Sequence, residues 1–129
     1  MYFDFKSCFM QNNKEKNLIV ELTFDFSLQI ISYVELLEKE HKYVIARQLL
    51  KAGTSIGANV REAQNAESKS DFIHKMKIAA KEADETEYWL LLCKKSESYT
   101  SCDELLKHCN SIIKVLSKII SSSKSSSLH

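Results

Sequence analysis

"DFIHKMKIAAKEADETEYWLLLC", residues 71–93, sets Phe72, Met76, Ala79, Ala83, Thr86, Leu90 and Cys93 at steps that alternate four and three. Side chains three or four apart share one face of a helix, whereas a strand would scatter the same positions over both of its faces. The stretch is therefore one helix with a continuous apolar stripe. A mean step of 3.5 residues is the spacing at which helices pack side by side as in coiled coils. Upstream, "SKSD" offers Ser68 as an N-cap and Asp71 as its acidic capping-box partner, so the helix is predicted over 69–96.

The same reading extends in both directions. Leu22, Phe26, Ile30, Tyr33 and Leu37 predict a first helix over 17–39, and Ile45, Leu49, Ala52, Ile56, Asn59, Ala63 and Ala66 predict a second over 43–66. Ser101 with Glu104 forms another capping box, and Leu105, Cys109, Ile112, Leu116 and Ile119 predict a last helix over 102–121. With no proline and only two glycines, the chain lacks the turn chemistry of a many-stranded sheet protein. Its 129 residues suit one domain. Short links between long helices predict an all-α, antiparallel up-down-up-down four-helix bundle over 17–121. Residues 1–16 read as an N-terminal extension, with Met10 as the expected start, and the Ser-rich 122–129 as a disordered tail.

Cys8, Cys93, Cys102 and Cys109 follow no secretory segment, and no run approaches the 18 apolar residues of a membrane span, so a soluble, reduced cytoplasmic protein is expected. Net charge is +1, but it alternates in blocks: −3 over 1–41, +5 over 42–81, −5 over 82–104 and +4 over 105–129. Such blocks either pair within the fold or present a basic patch to a partner.

Both glycines lie in "KAGTSIGANVREAQ", residues 51–64, on a second stripe of Ala46, Leu50, Gly53, Gly57 and Val60. Glycine costs a helix stability, and here it is expected to let another helix come close. "GTSIG" lacks the strand and the Lys-Ser or Lys-Thr of a phosphate loop. Asn59 falls on the apolar stripe and needs a hydrogen-bond partner. Gln48, Ser55 and Glu62 share a line with heptad spacing, and with Glu82 or Glu85 they form an expected polar network at a helix or subunit contact.

A nucleic-acid surface is expected from Arg47, Lys51 and Arg61 on one line of the second helix, joined by Lys69, Lys77 and Lys81 of the third. Tyr88 and Trp89 read as core or interface anchors rather than base-stacking platforms. No metal or other cofactor is expected. Glu38 with His41 and Asp71 with His74 approximate the Glu-x-x-His pattern of di-iron bundles, but an up-down topology puts them at opposite ends. Cys93, Cys102, Cys109 and His108 lack the Cys-x-x-Cys spacing of a zinc site.

"RQLLKAGTSIGANVREAQNAESKSDFIHKMKIAAKEADETEYWLLL", residues 47–92, resembles the core of the bacterial four-helix-bundle family of 23S rRNA intervening sequence proteins, chiefly through "TSIGANVREA" and "KIAAKEADETEYWL". The resemblance runs from about Met10 through the last helix. Many members carry Glu-Gly where this chain has Glu62 and Ala63. The resemblance implies a homo-oligomer, a ring-like pentamer. It also implies kinship with the accessory variability protein of diversity-generating retroelements, which binds nucleic acid and a reverse transcriptase. The expectation is thus a non-enzymatic homo-oligomeric scaffold associated with RNA or DNA, RNA before DNA. The alternative is an adaptor that docks a protein partner and never touches nucleic acid.

Overall fold

The structure, a computed structural model, describes residues 13–126, with side chains from 18 to 125. Four helices follow one another: α1 (Asn13–Lys39), α2 (Tyr43–Ala63), α3 (Lys69–Lys95) and α4 (Asp103–Ser126). Packing runs between α1 and α2, α2 and α3, α3 and α4, and α4 and α1, so each helix lies between two antiparallel neighbours. This is the up-down bundle that the spacing predicts. Residues 1–12, with Cys8 and the expected start at Met10, lie outside the described residues, as do 127–129.

All seven stripe residues of α3 are buried, as are all five of α4. In α1 the stripe begins one turn earlier than expected, with Ile19 and Thr23 buried and Leu22 only partly so. Thr23 meets the polar cost of burial by donating Oγ1–H to the Ile19 carbonyl at 2.8 Å. In α2 the core runs between the two stripes. Ala46, Leu49, Ala52, Gly53, Ile56, Val60 and Ala63 are buried, while Ile45, Asn59 and Ala66 are half-exposed.

Four ends differ from expectation. The first is the start of α1, at Asn13 rather than 17, so residues 13–16 of the expected extension are helical. After Ala63 the chain tightens into three-residue turns, with Gln64, Asn65 and Ala66 N–H donating to Arg61, Glu62 and Ala63, so α2 ends before residue 66. Ser68 caps α3 as expected, its Oγ accepting from Asp71 N–H at 3.0 Å. Ser101 forms no such box. The Cys102 carbonyl accepts the first bond of α4 from Leu106, and Ser101 Oγ accepts from Asp103 rather than from Glu104. Cys102 takes this position because it is buried, its Sγ donating to the Leu90 carbonyl at 3.2 Å.

The last difference is at the far end of α4, where residues 122–126 continue the helix rather than begin a disordered tail. Ser123 extends the buried stripe of Leu116 and Ile119, so packing against the bundle outweighs the modest helix propensity of the serines.

Between α1 and α2 the turn is built without glycine. Lys42 N–H donates to Leu37 and His41 N–H to Glu38, the double bond pattern of a Schellman motif, with His41 held at φ 64°. Among the described residues no helix is long and apolar enough to cross a membrane.

Candidate nucleic-acid interface

The two glycines sit where α2 meets α1. A Cβ on Gly53 would lie 2.8 Å from Ile30 Cγ1, and one on Gly57 would lie 3.2 Å from the Thr23 carbonyl oxygen. The helix approach therefore leaves no room for a side chain at Gly53, and the backbone facing Gly57 would have to give. Around Gly57 the two helices leave a shallow groove of about 310 Å³, lined chiefly by Phe24, Leu28 and Ile31 of α1 and by Thr54, Ala58 and Arg61 of α2.

The expected polar network does not assemble within the chain. Asn59 is half-exposed and donates Nδ2–H to the Ser55 carbonyl at 2.8 Å, one turn back in its own helix. Ser55 in turn donates to the Lys51 carbonyl. Glu62 reaches across to α3 and pairs with Lys75 at 3.3 Å. Glu85 accepts from Trp89 Nε1–H at 3.1 Å, which orients the half-buried indole, and Tyr88 stands edge-on to that ring while itself exposed. Local partners win because each group finds one within its own helix or the next. Placing Asn59 off the core removes the burial that would have required a distant one.

Five of the six predicted phosphate ligands, all but Arg47, divide into three settings. Arg47, Lys51, Arg61, Lys77 and Lys81 are exposed, and Lys69 is half-buried. Arg61 turns toward α1, its guanidinium 5.8 Å from the centre of the Phe24 ring and beside Glu21 and Asp25. Lys51 and Lys81 instead flank Glu82. Burial and the charge of Glu85 push the Glu82 carboxyl up, and these two lysines pull it back only in part. Arg61 and Lys51 thus face different neighbours. The single line expected along α2 is a fan, because ten residues of helix leave two side chains far from eclipsed.

Lys69 and Lys77 belong to the third setting, a cleft between α3 and α4 that also holds Ser70, Ile73, His74 and Lys124. Sequence reasoning left Lys124 in the tail and read His74 only as a metal candidate. The signal was the antiparallel register. Cys102 meets Leu90 and Cys109 meets Ala83, and continuing that pairing along α4 brings Lys124 beside the first turn of α3.

At the opposite end, Tyr33 donates its hydroxyl to the Thr100 carbonyl at 2.7 Å, and Glu40 accepts from Thr100 Oγ1–H, tying the two loops there together. His41 accompanies Tyr43, with Nδ1 and the hydroxyl 2.8 Å apart, and His108 accompanies Gln29. Among the described residues no group of three or more His, Cys, Asp or Glu is placed to hold a metal ion. Cys93, Cys102 and Cys109 are free thiols in the core; burial pushes Cys93 up to about 11 and Cys109 to about 12, which makes them poor nucleophiles.

Residues 15–118 match the family model described as 23S rRNA-intervening sequence protein. The chain is also similar to the 1.70 Å crystal structure of a protein of unknown function from the S23 ribosomal protein family of Bacteroides thetaiotaomicron VPI-5482. The two are 40% identical with a TM-score of 0.79, over 83% of this chain and 98% of that one. No curated protein matches the chain.

Proposed function

We propose, from the premise that this chain belongs to the 23S rRNA-intervening sequence protein family, that it is a non-enzymatic, cytoplasmic, homo-oligomeric scaffold that associates with RNA through cations of α2 and α3. The observation that carries this reading is the distribution of exposed residues. Among the exposed acids of α1 stand five large apolar side chains, Leu18, Phe24, Leu28, Ile31 and Leu36, between 37% and 53% exposed, and Phe24, Leu28 and Ile31 lie together along the groove toward α2. So much exposed apolar surface on one helix favours contact with another subunit.

A second exposed apolar set, Tyr88, Leu91 and Leu92, lies toward the end of α3, the helix diagonal to α1. Two unlike patches on opposite sides of one chain favour a head-to-tail contact, which closes into a ring when the rotation permits. The ring proposed is the pentamer that the family resemblance implies. The first half of α3, with Lys69, Lys77 and Lys81, lies away from the second patch and stays outward. Assembly would then repeat a modest set of cations around one particle, and phosphate affinity grows with the number of contacts. The family's description, which refers to intervening sequences of 23S rRNA, favours RNA over DNA.

Light scattering combined with filter binding of a structured RNA tests the reading. It expects a multimer that retains RNA at low salt and releases it as salt rises. A multimer that retains neither RNA nor DNA at low salt, while co-purifying with one stoichiometric protein after nuclease treatment, would establish the adaptor instead.

A further inference from the structure

Along α1 the exposed residues Phe24, Leu28, Ile31 and Glu35 follow one another at steps of four, three and four, and along α3 the exposed Asp84, Tyr88, Leu91 and Lys95 repeat the same steps. Each set makes one stripe down its helix, with large apolar side chains in the middle. The α1 stripe borders the groove of about 310 Å³ toward α2, whose far wall is formed by the short side chains of Thr54 and Ala58. On that wall Leu50 lies one turn before Thr54, on the same side of α2, and is 37% exposed. Arg61 stands at one end of the groove, its guanidinium over the Phe24 ring, and Glu35 lies one turn beyond Ile31 at the other, about 16 Å along α1 from Phe24.

The two stripes match in charge as well as in spacing. Laid parallel to α1, the α3 helix of a second copy brings Asp84 level with Phe24 and Arg61, Tyr88 with Leu28, Leu91 with Ile31, and Lys95 with Glu35. Opposite charges then meet at both ends, with apolar side chains between them. Direction matters, because successive residues of a helix turn by about 100°. In the parallel arrangement the flank of α3 that carries Glu85 and Leu92 falls toward α2, which sets Leu92 over Thr54 and Leu50 and Glu85 on the side of Arg61. With α3 reversed the same flank falls on the other side of α1, and Leu92 would lie beside the exposed carboxylate of Asp25. Rotation about an axis along the bundle also brings α1 of one copy and α3 of the next together in parallel, because the two run the same way in an up-down-up-down bundle.

We infer that the groove between α1 and α2 is the seat of the α3 helix of a second copy of this chain, filled by Tyr88, Leu91 and Leu92 and clamped at its ends by Arg61 with Asp84 and by Glu35 with Lys95. The inference rests on the head-to-tail assembly proposed above and deepens it by fixing which faces meet, in which direction and in what register. Gly57 lines this groove, and its lack of a side chain keeps the seat open. The five donors of Arg61 let it hold a carboxylate on one edge and keep the other edge for phosphate.

Two measurements on the full chain test the seat, and neither touches a proposed phosphate ligand. The first is light scattering across a dilution series. Glu35→Lys and Lys95→Glu each set like charges face to face and are expected to raise the dissociation midpoint roughly tenfold, while the double exchange returns it to within about twofold of wild type. A double variant no better than the single ones overturns the register. The second measurement reads direction with paired cysteines. Glu35→Cys/Lys95→Cys is expected to form a disulfide between copies under mild oxidation, seen as a ladder on a denaturing gel without reductant. Asp25→Cys/Lys95→Cys, which moves one partner about 15 Å along α1, is expected to match the wild-type blank. Crosslinking of the Asp25 pair instead shows α3 reversed and overturns the inference. A multimer in which neither pair crosslinks overturns this seat while the assembly stands. A monomer at every concentration overturns the assembly and the seat together, and leaves the groove to a different protein.

Discussion

Gly53 and His41 are opposite cases of backbone chemistry in one chain. At Gly53 the helix accepts a residue of poor propensity because Ile30, fully buried, occupies the space of the missing Cβ. Gly53→Ala gains about 1 kcal/mol of helix propensity but overpacks a core site, which costs about 1–3 kcal/mol, so the variant is expected to melt lower than wild type. Gly57→Leu meets the Thr23 backbone, which cannot rotate aside, and is expected to be the more damaging of the two. At His41 the reverse holds. A left-handed conformation costs a side-chain-bearing residue about 1–2 kcal/mol, and His41→Gly removes that cost while losing an exposed contact with Tyr43. We expect a net gain of about 0.5–1 kcal/mol, measured by chemical denaturation. The buried thiols give a third expectation. Cys93 and Cys109 keep their protons in the fold up to about 11 and 12, against an ordinary thiol value of 9.0, so between pH 9 and those values the unfolded chain loses protons that the folded one keeps. Stability present below pH 9 should therefore fall as pH rises through that window, and Cys93→Ala/Cys109→Ala should flatten the melting temperature against pH.

At the scale of the helix, α3 and α4 could be read from spacing because their buried stripes are narrow and each apolar position has one role. The α2 pattern misled by half a stripe. Small residues on two adjoining lines make both look apolar, and only the approach of α1 to Gly53 and Gly57 selects the buried one. That half-stripe shift moved Asn59 out of the core, and the expected polar network dissolved with it. The end of α4 was hidden for another reason. Serine signals an end by propensity, whereas Ser123 is held by the neighbours it packs against, and no local signal carries that information. Lys124, and with it the cleft, was missed for the same cause. The exposed apolar side chains of α1 along the α2 groove give a prediction proper to this scale. Phe24→Glu or Leu28→Glu, both at exposed positions, should leave the monomer fold intact by circular dichroism and yet reduce the assembly to smaller species in light scattering.

For the whole molecule, the proposed ligands Arg47, Lys51, Arg61, Lys69, Lys77 and Lys81 of one bundle are too few for firm retention of nucleic acid at physiological salt. The account therefore couples assembly to binding: the Phe24 or Leu28 variants should lose RNA together with the oligomer, although no cation has been touched. The most direct test of that coupling is native mass spectrometry of the protein recovered from cells at low salt, before and after nuclease. The account predicts a closed multimer of this chain that carries nucleic-acid mass and loses it to ribonuclease while remaining assembled. A monomer, or a multimer with no nucleic-acid mass that also fails to take up a structured RNA, would contradict it.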